Sequence, residues 1–170
     1  MSLIHNAEQF ARQAHAFQRY NRKSYADGHL AKVAALVAEL GGDDEQIAAA
    51  WLHDVVEDAN VPIEEIYARF GWNVGGYVGA CSGIGASRIE RNAVIYSKVR
   101  FRPKAALVKV ADRIANVEAS EALDARARNY LAEEDEFHEN VAKFAPLNAR
   151  VRLKEAYANL KAGKLVAGHE

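Results

Sequence analysis

The segment IAAAWLHDVVED (47–58) constrains the fold more than any other part of the chain. Ile47, Ala48, Ala49, Ala50, Trp51, Leu52, Val55 and Val56 cover most of a helical circumference, and a helix that is apolar on most sides is buried. His53, Asp54, Glu57 and Asp58 interrupt it. His53 and Glu57 are four residues apart, as are Asp54 and Asp58, so both pairs stack on adjacent stripes of one face. Four ionisable groups on one stripe of a buried helix are costly unless they are paired, hydrated or bound to a cation.

The surrounding pattern is helical throughout. The 170 residues include only 3 prolines, strict apolar–polar alternation is hard to find, and apolar spacings of three and four recur, which predicts an all-α chain. A first helix is expected over about 5–19, with Ala7, Phe10, Ala11, Ala14 and Phe17 on one face. A polar, turn-like stretch (19–27) follows, and a second helix begins near Asp27 as N-cap and stops at Gly41-Gly42. Asp43 and Asp44 open the third helix, which runs to about 58. Further helices are expected from near Pro62 to Gly71, over about 72–81, 88–100 and 103–118, and in an acidic region to about 142. SGIGAS (82–87) reads as a flexible loop. Pro146 opens a last helix with Val151, Leu153, Tyr157 and Leu160 partly periodic. No linker or repeat divides the chain, so a single domain is expected, with a core over about 5–120 and a helical tail over about 121–165.

Composition narrows the function. Twenty-two Lys and Arg against 23 Asp and Glu leave a net charge of −1, without the basic excess of a protein that grips nucleic-acid backbone. The lone Cys81 forms no internal disulfide and reads as a small buried apolar residue. No apolar run approaches the roughly 18 residues that span a bilayer. The expected partner is therefore a small molecule, in the cytoplasm, without nucleic acid or membrane; the oligomeric state is not legible.

Two other segments repeat the anomaly of 47–58. His29 begins GHLAKVAALVAEL close to its apolar face, and Asp112 lies in ALVKVADRIANV. Taken alone, His29 reads as a satisfied core histidine, and Glu57 and Asp58 as a solvated last turn. Taken together, two imidazoles and two carboxylates suit a divalent transition metal. They leave coordination positions open for water and a phosphate oxygen. Such a cation acidifies the water and polarises phosphorus, while Glu57 and Asp58, one turn on, are placed to take or give protons.

This joint pattern resembles the HD-domain metal-dependent phosphohydrolases. WLHDVVEDANVPIEEIYARFG (51–71) and LVKVADRIANV (107–117) are similar to the two signatures of the alarmone hydrolases. That group comprises the Rel/SpoT hydrolase domain and its stand-alone small relatives, including the metazoan SpoT homologue. The resemblance covers about residues 5–120 and implies an all-α HD-domain helical bundle. It implies metal ligands at His29, His53, Asp54 and Asp112, manganese as the metal, and a catalytic acidic pair at Glu57 and Asp58. It also implies that Arg22 and Lys23 bind the base and that Asn116 contacts the nucleoside; Tyr25, just after the pair, is a further candidate substrate contact, though its aromatic ring by itself reads as core or rim. The implied reaction is hydrolysis of the 3′-diphosphate of guanosine tetra- or pentaphosphate, releasing pyrophosphate. Iron or zinc also suits the donor set.

The chain departs from the family on the base side. KSYADGHLAKVA lacks the Gly-x-Pro-Tyr turn and the His-Pro pair, and Glu118 and Ala119 stand where Arg and then Thr or Asp are usual. Adenosine analogues are therefore included as substrates. Alternatives are another HD nucleotidase, a phosphatase acting on the 2′-phosphate of NADPH, or a non-catalytic nucleotide-binding module. Residues 88–113 carry eight basic residues (Arg88, Arg91, Lys98, Arg100, Arg102, Lys104, Lys109, Arg113) against two acidic ones. A basic segment leading into a ligand helix suits a phosphorylated small molecule, with Lys109 and Arg113 as candidate contacts.

Overall fold

The computed structural model describes residues 2–121 and 124–163. Among the described residues it is all-α apart from one small hairpin. In chain order the elements are α1 (Leu3–Ala14), β1 (Arg19–Tyr20), β2 (Lys23–Ser24), a π-helical turn (Ala26–Leu30) continuing into α2 (Ala31–Glu39), α3 (Asp44–Leu52), α4 (Val55–Asp58), α5 (Ile63–Cys81), α6 (Arg88–Phe101), α7 (Ala105–Glu118), α8 (Ala125–Ala132), α9 (Glu134–Asn140), a 3₁₀ turn (Ala142–Phe144) and α10 (Leu147–Lys161).

The bundle is organised around α7. Every residue of α7 is buried except Lys109 and Asn116, and α2, α3, α5 and α10 all pack against it. Helix α3 is the second buried rod: it is covered by α1, α2, α5 and α7, and Ala48, Ala49 and Ala50 present no bulk that would hold those neighbours apart. Asp43 starts α3 with a capping box. Its carboxylate accepts from the Gln46 N–H at 2.9 Å, and the Gln46 side chain accepts from the Asp43 N–H at 3.1 Å. The same Gln46 side chain donates to the Lys104 carbonyl at 2.8 Å, which locks the start of α3 to the start of α7. The two helices that carry His53 and Asp112 therefore share one anchor.

Several local expectations need correction. The first helix ends at Ala14, and Phe17 lies beyond it, fully exposed. The stretch after it is a β-hairpin turning through Asn21, whose φ is +55°. Asp27 is not an N-cap: it lies inside the π-helical turn, where its backbone N–H donates to the Ser24 hydroxyl at 3.1 Å and its carboxylate pairs with Arg12 at 2.7 Å. Helix α3 stops at Leu52 and restarts at Val55, so the third helix is broken at His53-Asp54. The two helices expected on either side of Gly71 are both present within α5 and meet at a kink where Gly71 takes the non-helical φ +87°. Val151 is exposed, whereas Leu153, Tyr157 and Leu160 are buried as expected. Cys81 is buried, and its environment pushes the thiol up to about 12. Positions 122–123 and 164–165 of the expected tail lie outside the described residues. Among the described residues no helix is long and apolar enough to cross a membrane.

Removing the Asp43 carboxylate tests this anchoring. Asp43→Ala is expected to lower stability by about 1 kcal/mol through loss of the cap, read as a lower midpoint in urea at unchanged slope. An unchanged midpoint would show that the capping box contributes nothing.

Candidate functional site

The interruption between α3 and α4 carries His53 and Asp54. His53 Nδ1 lies 2.7 Å from the Ala50 carbonyl, three residues back. A carbonyl only accepts, so Nδ1 carries a hydrogen, and Nε2 is the nitrogen turned to the carboxylates, open to a proton or to a cation. His29 comes from the π-helical turn, a distortion frequent at functional sites, and Tyr20 of the hairpin stacks on its ring at 5.2 Å. Close approach explains Gly28: a Cβ there would meet the Tyr20 backbone oxygen and Cβ at 3.0 Å. Asp112 reaches in from the middle of α7.

These residues converge. His53 Nε2 lies 3.0 Å from Asp54 Oδ2 and 3.6 Å from Asp112 Oδ1. His29 Nε2 lies 3.5 Å from Asp54 Oδ2 and 3.3 Å from Asp112 Oδ1. Both imidazoles are buried, and His53 Nε2 has no hydrogen-bond partner. Two imidazole nitrogens and two carboxylate oxygens therefore face one another where the rings are shielded from solvent. That arrangement requires positive charge between them. Ligand distances of 2.0–2.2 Å place neighbouring donors roughly 3.0–3.4 Å apart around a divalent ion, close to the separations observed. His29, His53 and Asp54 alone already have donor atoms within 4.8 Å of one another. The donor set thus fits a divalent metal.

The charges of the site express the same demand. Burial opposes protonation of His53, but Asp54 and Asp112 overcome it and push the ring up to about 10. His29 is raised by the same two carboxylates against its own burial. Burial likewise works against ionised Asp54 and Asp112, yet His53, His29 and, for Asp112, Lys109 hold both well below the usual carboxylate range. A bound dication would do the work of those protons and displace them.

A second set of contacts fixes the carboxylates. The Tyr25 hydroxyl donates to Asp54 Oδ2 at 2.6 Å. The Asn116 amide donates to Asp112 Oδ1 at 2.6 Å and accepts from the Tyr20 hydroxyl at 3.3 Å. Lys109 Nζ pairs with Asp112 Oδ2 at 3.0 Å. Tyr25, Asn116 and Lys109, expected on the substrate side, thus each hold one of the four donors.

Above the donors lies a cavity of about 250 Å³. Glu57, Asp58, Arg88, Arg91, Lys109 and Arg113 are among the residues that line it. Glu57 Oε1 accepts a hydrogen bond from the Gly83 N–H. Asp58 is raised by desolvation and by the charges of Asp54 and Glu57. Arg22 and Lys23 are not brought to this cavity; both are exposed on the hairpin. Nor do Arg100, Arg102 and Lys104 line it. Lys98 instead ties the Gly79 and Ser82 carbonyls at 3.0 and 2.8 Å. Glu118 turns away, buried against Lys32 at 3.0 Å and paired with Arg152, so its negative charge does not face the cavity.

Three residues that sequence reasoning did not single out shape the wall. Glu133 takes Arg88 through both oxygens (2.5 and 3.0 Å) and also holds Arg113 at 3.0 Å. Arg113 further donates to the Tyr157 hydroxyl at 3.1 Å and lies over the rings of Phe137 and Tyr130 at 4.2 and 4.9 Å. Tyr130 and Asn92 line the cavity itself. Glu133 sits among Glu134, Asp135 and Glu136, and nothing in that acidic run marks one member as the partner of two distant arginines.

Comparison with known proteins agrees with this architecture. The HD domain family model matches residues 7–151. The chain belongs to the HD domain family. It is 33% identical to a probable guanosine-3′,5′-bis(diphosphate) 3′-pyrophosphohydrolase of Synechocystis over 157 residues, covering 88% of this chain and 20% of the relative. It is 33% identical to the corresponding enzyme of Aquifex aeolicus over 153 residues, 87% of this chain and 21% of the relative. The chain thus spans about a fifth of the length of these relatives. A solved structure, described as a metazoan ortholog of SpoT that hydrolyzes ppGpp, superposes with a TM-score of 0.79 at 21% identity. That match covers 95% of this chain and 97% of the other, and it bears on the fold.

Metal binding to such a donor set should stabilise the folded chain. At a hundredfold excess over its dissociation constant, a cation bound only to the folded state adds about 2.7 kcal/mol, equivalent to roughly 5–10 °C in Tm for a chain of this size. Manganese is expected to produce that rise in the wild type and none in Asp54→Ala, measured by thermal denaturation. A rise of equal size in both would place the ion elsewhere.

Proposed function

We propose that the chain is a metal-dependent phosphohydrolase that cleaves the 3′-diphosphate of guanosine 3′,5′-polyphosphates, or their adenosine analogues, and releases pyrophosphate. The observation that carries this reading is the convergence of His29, His53, Asp54 and Asp112, three of which, His29, Asp54 and Asp112, line a cavity shared with Arg88, Arg91, Lys109 and Arg113. The names of the Synechocystis and Aquifex relatives support the substrate class. The whole described chain is proposed as one HD domain in the cytoplasm, with its C-terminal helices serving as part of the cavity wall.

In this reading His29, His53, Asp54 and Asp112 hold the metal, proposed as manganese. When bound, the ion supplies an acidified water and a positive charge beside the reacting phosphate. Tyr25 and Asn116 keep Asp54 and Asp112 turned inward. Glu57 takes the proton of the attacking water as its oxygen bonds to phosphorus. The bond from phosphorus to the 3′-oxygen then breaks. Asp58, whose raised affinity for a proton suits an acid, donates to that oxygen as it leaves. Arg88, Arg91 and Lys109 offset the charge of the phosphates.

The exposed positions of Arg22 and Lys23 leave the base side weakly specified, which is why adenosine nucleotides are kept in the test. Purified protein with manganese is incubated with guanosine and adenosine 3′-diphosphates and with NADPH. Pyrophosphate release from a 3′-diphosphate is expected. Orthophosphate from NADPH alone would move the activity to a 2′-phosphatase, and no turnover of any of them would overturn the enzyme reading. Glu57→Gln is expected to keep the metal but lower kcat by roughly 10²–10⁴-fold, whereas Asp54→Ala loses both. Full activity of Glu57→Gln would remove that residue from the proton path.

A further inference from the structure

Glu57 lies on the short helix α4, at the solvent-facing edge of the cavity, where a carboxylate on a free side chain would sample several rotamers. A proton acceptor works only when its oxygen is held in line with the water it serves. The loop between α5 and α6 answers this requirement. The Gly83 N–H donates to Glu57 Oε1 across 26 residues of sequence, which tethers the carboxylate and limits its rotation.

The loop is built to hold that amide in place. Ser82 and Gly83 are buried, although the residues that follow are exposed. The Ser82 hydroxyl donates to the Val78 carbonyl at 2.8 Å. Lys98 of α6 donates to the Gly79 and Ser82 carbonyls at 3.0 and 2.8 Å, so the peptide immediately before Gly83 is gripped from both flanking helices. The lack of a side chain at 83 is required by packing. A Cβ there would stand 2.7 Å from the Arg91 backbone oxygen and 3.0 Å from its carbonyl carbon. Those atoms belong to the interior of α6 and cannot swing aside as a flexible side chain would. Any larger residue must push the loop away from α6 and carry the amide off Glu57.

The geometry points to Gly83 as a positioning residue: its amide tethers the Glu57 carboxylate and so orients it toward the attacking water. This rests on the proposed role of Glu57 as proton acceptor. It assigns to SGIGAS the task of setting that acceptor, which its composition alone does not reveal.

Two measurements test it together. The first is the amide resonance of Gly83 in ¹H–¹⁵N spectra of the full chain. The proton is expected well downfield of the other loop glycines, and it should move upfield in Glu57→Gln, whose neutral amide is a weaker acceptor. The second is steady-state kinetics of Gly83→Ala with the 3′-diphosphate substrate. The expected result is a loss of about tenfold or more in kcat with KM within about twofold. In the Glu57→Gln background the same substitution should cost less than about twofold, because the group being positioned no longer accepts protons. An amide that does not respond to Glu57→Gln, or a Gly83→Ala penalty equal in both backgrounds, overturns the proposal. The spectra do not depend on Gly83→Ala folding. They also separate the two failures: a wild type without turnover defeats the proposed function, while the response of the amide still decides the bond.

Discussion

The structure depends on one unfavourable juxtaposition: two imidazole nitrogens and two carboxylate oxygens held 3.0–3.6 Å apart in the interior of a helical bundle. Nothing in hydrophobic packing favours such a cluster, and unscreened charges in a poorly polarisable interior repel strongly. The cluster persists only because positive charge satisfies it, as protons or as a cation, and because the helices carrying it are fixed by other means. Gln46 bridging the starts of α3 and α7 and the burial of α7 on nearly every side are those means.

The surrounding polar groups form a single logic. Each of the four residues is held by a neighbour: Ala50 for His53, Tyr25 for Asp54, Asn116 for Asp112, and the stacked Tyr20 for His29. Aiming matters because a ligand or acid displaced by an ångström loses much of its effect. The distorted backbone falls where this aiming is done, at the π-helical turn bearing His29 and at the interruption of the helix at His53-Asp54. Regular helix would have been more stable locally, and it is given up where the side chains are needed.

The basic residues of the cavity, matched in number by Asp54, Glu57, Asp58 and Asp112, are themselves held by partners. Glu133 serves Arg88 and Arg113 at once, and Arg113 is further committed to Tyr157 and two aromatic rings. Arg113 is thereby a strut between α7 and the C-terminal helices, and Arg88, only half covered, stays oriented toward the cavity. Glu118 is withdrawn in the same economical way, neutralised by Lys32 and Arg152 on the far side of α7. Its replacement of the residue usual in the family is therefore electrostatically silent toward the site.

The linear order of residues determined the helical class, the capped start of α3 at Asp43 and the glycine stop after Leu40. It also marked the four donors, because ionisable groups inside apolar helical periodicity stand out against a strong local rule. It misplaced a feature that local rules do not govern: Asp27 looks like an N-cap, but Arg12 and Ser24 claim it. That Arg22 and Lys23 lie exposed on the hairpin, outside the cavity lining, was not legible either. Only tertiary structure decided which charges cancel, as with Glu133 and Glu118, and which amide reaches Glu57. The physical reason is range: helix periodicity and capping act over three or four residues, whereas ion pairing acts through space between residues 20, 45 or more positions apart.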